Sequence, residues 1–267
     1  MPLELDARQR AMLQEMGVRV WLPKPPAAPI PAAQPSPVRA TAAMPASAPT
    51  PEPVAPPQLP VLAPLAQAAN GSVLAAQAQA CQACQLSAGR TRSTLSAHRW
   101  TQGGESVQAD WFVVGDPPDA DEDREGRPFV GPAGQLLDAM LKAVGADRQG
   151  QGAQGAYLSN IVKCHPQSGQ VPQSEEWAQC SGFLRQELAL VRPKVVLAMG
   201  RMAAQALLLE HPVEAQWPLG KQRGMVYRFA GLPVVVTYHP KMLLRAGADK
   251  AKAWADLCLA LDVVGNR

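Results

Sequence analysis

Five consecutive residues, Trp111-Phe112-Val113-Val114-Gly115, carry no polar side chain. A short apolar run bounded by turn residues marks a strand buried on both faces. The same mark returns at Val195–Met199 (VVLAM) and Val234–Tyr238 (VVVTY), and more weakly at Tyr157–Val162 (YLSNIV). Between these runs the apolar spacing lengthens to that of helices. Gln135–Val144 (QLLDAMLKAV) shows it and is stopped by Gly145. A second helix, capped by Ser174 and running to Val191, carries Glu175 and Glu176 in its first turn, where the helix dipole favours carboxylates. Further helices are predicted over Leu65–Ala80, Met202–Leu209 and Asp249–Val263, and Val226–Phe229 reads as a hairpin arm. Strand and helix in alternation predict an α/β fold, a three-layer α/β/α sandwich with a central, mostly parallel sheet of about four strands. The loops leaving Gly115, Val162, Met199 and Tyr238 then gather at one edge, where open α/β sheets place their ligands.

The loop after Gly115 is the most polar of the four. It holds Pro117 and Pro118 and the carboxylates Asp116, Asp119, Asp121, Glu122, Asp123 and Glu125, and ends on Gly126-Arg127-Pro128-Phe129-Val130-Gly131. The pattern predicts an acidic, proline-stiffened loop, with the next helix starting near Gly134.

Composition then divides the chain. Residues 65–267 form a domain of ordinary size. Residues 23–64 are Pro/Ala-rich and nearly uncharged, hold more than half of the 27 prolines, and cannot bury a core. They read as a disordered, semi-extended tether reaching on the order of 130 Å at ~3.1 Å per residue. Residues 1–22 form a short amphipathic piece, with Asp6 as a cap and Met12, Leu13 and Met16 on one face. It is either a peptide that docks a protein partner or a loosely packed arm. The net charge of +3 is too small to imply nucleic acid, but from Ser181 onward Lys and Arg outnumber Asp and Glu about two to one, which points to a phosphate-bearing partner. No apolar run is long enough to span a bilayer, and the first twenty residues lack a signal-peptide core, so a cytoplasmic protein with no membrane attachment is expected.

Five cysteines in an unexported chain favour metal or thiol chemistry over disulfides. Cys258, among Trp254, Leu257 and Leu261, reads as a core residue. Cys81-Gln-Ala-Cys84, Cys164 and Cys180 remain, a set that suits zinc or an iron–sulfur cluster without choosing between them. At the predicted loop edge, Asn160 lies in an apolar strand, where a buried amide needs its hydrogen bonds met and a planar polar ligand could meet them. His239-Pro240 follows another strand, with Lys241 and Arg245 behind it, an arrangement suited to an anion beside a phosphate chain. Phe129, held between Pro128 and Gly131, can present a flat face. Each has an ordinary structural explanation alone; together they describe a pocket.

These residues fall in motifs. Cys81-x-x-Cys84-x-Leu86 with Arg90, Gly126-Arg-Pro-Phe-Val-Gly-x-Ala-Gly-x-Leu-Leu-Asp138, Ser159-Asn-Ile-Val-Lys-Cys164, Cys180 and Thr237-Tyr-His-Pro-x-x-Leu-Leu-Arg245 together resemble the type-4 uracil-DNA glycosylases, from about Ala80 to Leu261. The resemblance implies a base-excision repair enzyme that hydrolyses the N-glycosidic bond of uracil in single-stranded, U·G and U·A DNA and leaves an abasic site. It implies a [4Fe–4S] cluster on Cys81, Cys84, Cys164 and Cys180. It implies catalytic roles for Asp116, Glu122 and His239, with the carboxylates orienting water and the histidine facing uracil O2. It implies a uracil pocket of Asp116, Pro117, Pro118, Phe129, Asn160 and His239, and DNA-phosphate contacts from Lys241 and Arg245.

The chain departs from the family pattern in places. The first motif, usually Gly-Glu-x-Pro-Gly, is Gly115-Asp116-Pro117-Pro118-Asp119, which puts a like charge against DNA. His-Pro-Ser is His239-Pro240-Lys241, whose cation can offset Asp119. Cys-Arg-Pro-Pro is Cys164-His165-Pro166-Gln167. Ala120–Arg127 holds no histidine, so the covalent adduct of the related crosslinking subgroup is not expected. These departures motivate an alternative, a weakly active or inactive iron–sulfur DNA-binding module recruited through its N-terminal peptide.

Overall fold

The computed structural model describes residues 67–95, 107–167 and 170–265. The amphipathic segment expected at 1–22, as a docking peptide or a loosely packed arm, and the tether expected at 23–64 lie outside the described residues. Strands β1 (Ala109–Gly115), β2 (Gly152–Asn160), β3 (Val195–Met199), β4 (Val226–Phe229) and β5 (Leu232–Thr237) form one sheet in the order β2-β1-β3-β5-β4. β2, β1, β3 and β5 run parallel, and β4 pairs antiparallel with β5. The sheet thus has five strands rather than about four. The hairpin arm is a full edge strand, turned by Ala230 and Gly231, both at positive φ as a two-residue turn matched to strand twist requires.

The helices are α1 (Gly71–Ala80), α2 (Ala120–Glu125), α3 (Gly131–Ala143), α4 (Ser174–Val191), α5 (Arg201–Leu207), α6 (Leu219–Gln222), α7 (Pro240–Arg245) and α8 (Lys250–Gly265). Because strand side chains alternate, the apolar runs serve two cores at once. Trp111 and Val113 join Val195, Leu197 and Met199 against Leu137 and Leu141 of α3 and Leu257 and Ala260 of α8. Phe112 and Val114 join Val196, Ala198, Val234 and Val236 against α1, α4 and α5. This is the expected three-layer sandwich. Among the described residues no helix is long and apolar enough to cross a membrane.

Three local expectations change. The acidic run is a helix, α2, rather than a loop. Asp119 accepts from the Glu122 amide at 2.8 Å and Glu122 Oε2 accepts from the Asp119 amide at 3.0 Å, a reciprocal cap that holds Asp121, Glu122 and Asp123 where the dipole favours them. Gly126, at φ 66°, ends it. Helix α3 begins at Gly131, with Pro132 in its first turn, three residues before Gly134. On α8 the buried face is Ala253, Asp256, Leu257 and Ala260, while Trp254 and Leu261 are exposed and Cys258 is only half-buried. The bulky residues pointed to the wrong face because the inward position is occupied by a carboxylate, which Arg223 neutralises at 2.7 Å.

Candidate active site

The exits of β1, β2 and β5 lie together at one edge, in register. Gly115 pairs with Asn160 on one side and Met199 on the other, and Met199 pairs with Thr237. The segments leaving these strands are therefore brought together by backbone pairing alone.

Glu122 joins these exits. It is fully buried, and Oε1 accepts from the Phe129 amide at 2.6 Å and lies 3.5 Å from Asn160 Nδ2. Oε2 accepts from the Asp119 amide and from Lys241 Nζ at 3.1 Å. Both oxygens of this predicted catalytic carboxylate are therefore committed. Phe129 takes φ 54°, a left-handed conformation that costs a non-glycine residue energy. Glu122 grips its N–H, and Arg148, anchored on Asp138 at 2.5 Å, donates to its carbonyl at 3.4 Å. The ring lies over the Gly115 backbone, where a Cβ would come within 2.7 Å of Cζ. Its plane is 16° from that of His239, with centroids 5.2 Å apart, an offset parallel arrangement.

Asn160 is 1% exposed. Nδ2 donates to the Asp116 carbonyl at 2.9 Å, which orients the amide, and Oδ1 is buried with no partner among the described residues. A buried unpartnered acceptor costs stability, and such a cost persists where a ligand supplies the donor. His239 Nδ1 accepts from the Lys241 amide at 3.1 Å. In the neutral ring the proton is then on Nε2, which becomes the donor left for a ligand. Burial, aided by the Lys241 charge and opposed by Asp119, pushes the His239 pKa down to about 3, so the ring is neutral at ordinary pH.

Asp116 turns its side chain to the start of α5. Oδ1 accepts from the Met202 and Ala203 amides, both at 2.9 Å, and burial raises its pKa despite these bonds. Oδ2 has no hydrogen-bond partner among the described residues. A Cβ on Gly200 would lie 2.3 Å from that oxygen. Pro117 is half-buried; Pro118 is buried, and its carbonyl lies 2.8 Å from His165 Nδ1, which ties the β1 exit to the β2 exit.

Lys241 points into the site. Its Nζ meets Asp119 Oδ2 at 2.7 Å as well as Glu122, so the two departures from the family pattern contact each other. Burial works against the Lys241 charge, but Glu122 and Asp119 outweigh it and raise its pKa. Burial likewise opposes ionisation of Asp119, yet Lys241 and the Glu122 amide hold it below the usual carboxylate range. Arg245 is exposed, as are the apolar side chains Met242 (41%) and Leu244 (49%) on the same short helix.

Three of the four cysteines expected to ligate a cluster pack together near the exit of β2, while Cys81 packs against the main core. Cys164 and Cys180 are buried with Leu86 and Val162, and Cys84 and Trp177 pack against them. Cys81, Cys84 and Cys164 are all within electrostatic reach of one another, and Cys180 is within reach of Cys84 and Cys164. Arg90 donates to Cys164 Sγ at 3.2 Å and to the Ala78 and Gln79 carbonyls. Burial pushes the Cys180 thiol up to about 12 and raises Cys164 and Cys84, so ionisation must accompany metal binding. Among the described residues no three His, Cys, Asp or Glu side chains are drawn together as the ligands of one metal ion. Three thiols on an apolar wall beside a guanidinium, with Cys81 within electrostatic reach of two of them, supply the four-thiolate donor set of an iron–sulfur cluster.

Sequence reasoning missed the link between the two centres. Lys163 Nζ, 1% exposed, donates to Ser159 Oγ at 2.6 Å, to the Asn160 carbonyl at 2.8 Å and to Glu187 Oε2 at 2.6 Å; Glu187, fully buried, also accepts from Tyr157 and Ser159. The signal was available. Glu187 occupies the apolar face of α4 with Phe183, Leu184, Leu188 and Val191, and a charge there requires a partner.

Known proteins agree with this arrangement. The family model described as the uracil DNA glycosylase superfamily matches residues 102–258. A type-4 uracil-DNA glycosylase of Pyrobaculum aerophilum is 37% identical over 152 residues, covering 55% of this chain and 74% of the relative. Those of Archaeoglobus fulgidus and Thermotoga maritima are each 32% identical, over 61% and 67% of this chain and 78% and 86% of the relatives. A type-5 uracil-DNA glycosylase of Pyrobaculum aerophilum is 33% identical over 57% of this chain and 74% of its own length. By sequence, and with Glu122, Phe129, Asn160 and His239 brought together at the strand exits, this chain belongs to the uracil-DNA glycosylase superfamily and, within it, to the type-4 uracil-DNA glycosylases.

Proposed function

We infer that this protein is a uracil-DNA glycosylase, hydrolysing the N-glycosidic bond of uracil in single-stranded, U·G and U·A DNA and leaving an abasic site. The observation that carries the reading is Asn160 Oδ1, a buried acceptor with no donor among the described residues, at the same strand exits as Phe129 and His239. Uracil presents an N3–H to such an acceptor, whereas cytosine presents a lone pair there.

The target base must leave the stack to reach a buried pocket. Met242 and Leu244, exposed and apolar directly after His239, suit insertion into the gap the base vacates. Once flipped, the base rests on Phe129 and is read by Asn160. Bond cleavage leaves negative charge on uracil and positive charge on the sugar. The Nε2–H of neutral His239 stabilises the developing charge at O2, and the fixed Lys241 ammonium adds to the field. With Glu122 committed to Phe129, Asn160, Asp119 and Lys241, it positions rather than accepts a proton. Asp116 Oδ2 is the carboxylate oxygen left to orient a water. Arg245 holds a flanking phosphate.

Cys81, Cys84, Cys164 and Cys180 would hold a [4Fe–4S] cluster, which supplies bonds that fasten the segment after α1 to the exit of β2; hydrolysis moves no electrons. The protein acts on cytoplasmic, nucleoid DNA as a monomer, and residues 1–22 are a candidate docking peptide for a protein partner. The test is uracil release from single-stranded, U·G and U·A oligonucleotides by cluster-loaded protein. Release from all three is expected; binding of each without release overturns the reading.

A further inference from the structure

Lys241 and Asp119 stand at the mouth of the pocket, half-exposed, with side chains 37% and 43% accessible. Asp119 caps α2 after β1, and Lys241 lies in the first turn of α7 after β5, so their 2.7 Å contact crosses the end of β3, which separates those strands in the sheet. The two carboxylates that hold the ammonium differ. Glu122 is buried and fixed by three other groups. Asp119 sits at the water boundary, where a competing anion can reach the same ammonium. Lysine has three donors on a rotatable head, so it can exchange one partner and keep the other. Arg245 is exposed on the same short helix.

We propose that Asp119 sets the affinity for the DNA backbone by occupying Lys241 in the free enzyme, and that a phosphate of bound DNA displaces its carboxylate while Glu122 retains its hold. This rests on the reading of the pocket as a DNA glycosylase site. Asp119 acts through Lys241 and is a positioning residue. The cap and the ion pair are separable, because serine and asparagine cap helices about as well as aspartate but carry no charge. The displacement is an exchange of one anion for another at a single cation; removing Asp119 leaves the ammonium with Glu122 alone and spares the DNA phosphate the displacement.

The experiment measures binding of the full chain to a uracil-free single-stranded oligonucleotide across a range of KCl. Asp119→Ser and Asp119→Asn should bind more tightly than the parent by about two- to fivefold, the worth of one exposed ion pair, with the slope of log K against log salt unchanged, because Lys241 neutralises the same phosphate in both complexes. Lys241→Gln, where the side chain can still donate to Glu122, should make the slope shallower by about 0.7, the value for one neutralised phosphate on a single strand, and the Asp119 substitutions on that background should give no gain. The proposal is overturned if the Asp119 variants bind no more tightly than the parent, if Lys241→Gln leaves the slope unchanged, or if the gain survives in full on the Lys241→Gln background, which would make it simple loss of a repelling charge. Uracil release by the parent is scored separately. Its absence would sink the glycosylase reading and leave the ion-pair exchange standing, whereas an unchanged affinity sinks the exchange alone.

Discussion

The floor of the pocket and its mouth grow from the same strand exits, yet they hold their charges differently. On the floor, Glu122, Phe129, Asn160 and His239 are all under 5% exposed; Asn160 Nδ2 is bound to backbone of another exit, Glu122 and His239 accept from amides of their own segments, and Asn160 Oδ1 has no partner among the described residues. At the mouth, Asp119, Lys241 and Arg245 face water beside two apolar side chains. A fixed dipole in a dry site need not reorganise when charge develops, so the floor discriminates the transition state. A charge pair in water is cheap to exchange and is screened by salt, so the mouth governs encounter. On the proposed reading Lys241 serves both, standing at the mouth and also adding to the field on the leaving base.

The comparison can be broken from the floor first. Asn160→Ala removes the acceptor for N3–H, and kcat/KM on a U·G oligonucleotide should fall by ~10³-fold or more, as for sites built around a substrate hydrogen bond; a loss under tenfold would mean that recognition lies elsewhere. His239→Leu should lower kcat by ~10²–10³ with little change in DNA affinity, the effect of deleting one donor to a developing anion. The parent's kcat/KM should show no break near pH 6.5, because burial holds the ring's pKa down to about 3 in the free protein.

The next effects are on stability. Lys163→Met leaves Glu187 buried and unpaired and should cost roughly 3–5 kcal/mol in urea unfolding, much of it recovered by adding Glu187→Leu. Acid adds a contribution from His239. Its folded pKa lies near 3 and its unfolded pKa near 6.5, so the unfolded chain binds the extra proton. Stability from keeping the ring neutral is complete above about pH 6.5 and declines as pH falls towards 3, and His239→Asn should flatten that part of the stability–pH curve. The smallest effect is at the mouth. Arg245→Ala should weaken binding uniformly across sequences and reduce the salt slope by about one phosphate contact; an unchanged slope would remove Arg245 from the DNA path.

The sandwich was legible in the sequence because VVLAM and WFVVG need two apolar neighbours each, which only a covered parallel sheet provides. The gathering of Asn160 and His239 at one edge was legible, since strand register carries them there. The bonding within it was not. Asp119-Ala-Asp-Glu122 is a helix-start signature, but among so many acids it read as surface. Glu122 was expected to handle water and instead fastens four groups; a carboxylate's role depends on which amides reach it, and one-dimensional spacing does not encode that. Asp256 and Glu187 are inward-facing charges whose partners, Arg223 and Lys163, are distant in sequence. Both became visible only once the elements were packed.

The contact between Asp116 and Gly200 limits how this chain can vary. A side chain at position 200 would strike the carboxylate at position 116, and φ 108° there disfavours any residue but glycine. Shortening Asp116 would relieve the collision but free two amides at the start of α5. Neither position can be altered alone without a loss, far apart in sequence though they are. In a collection of natural variants the two should therefore travel as one inherited unit, and a lineage carrying a different residue at one should carry a compensating residue at the other.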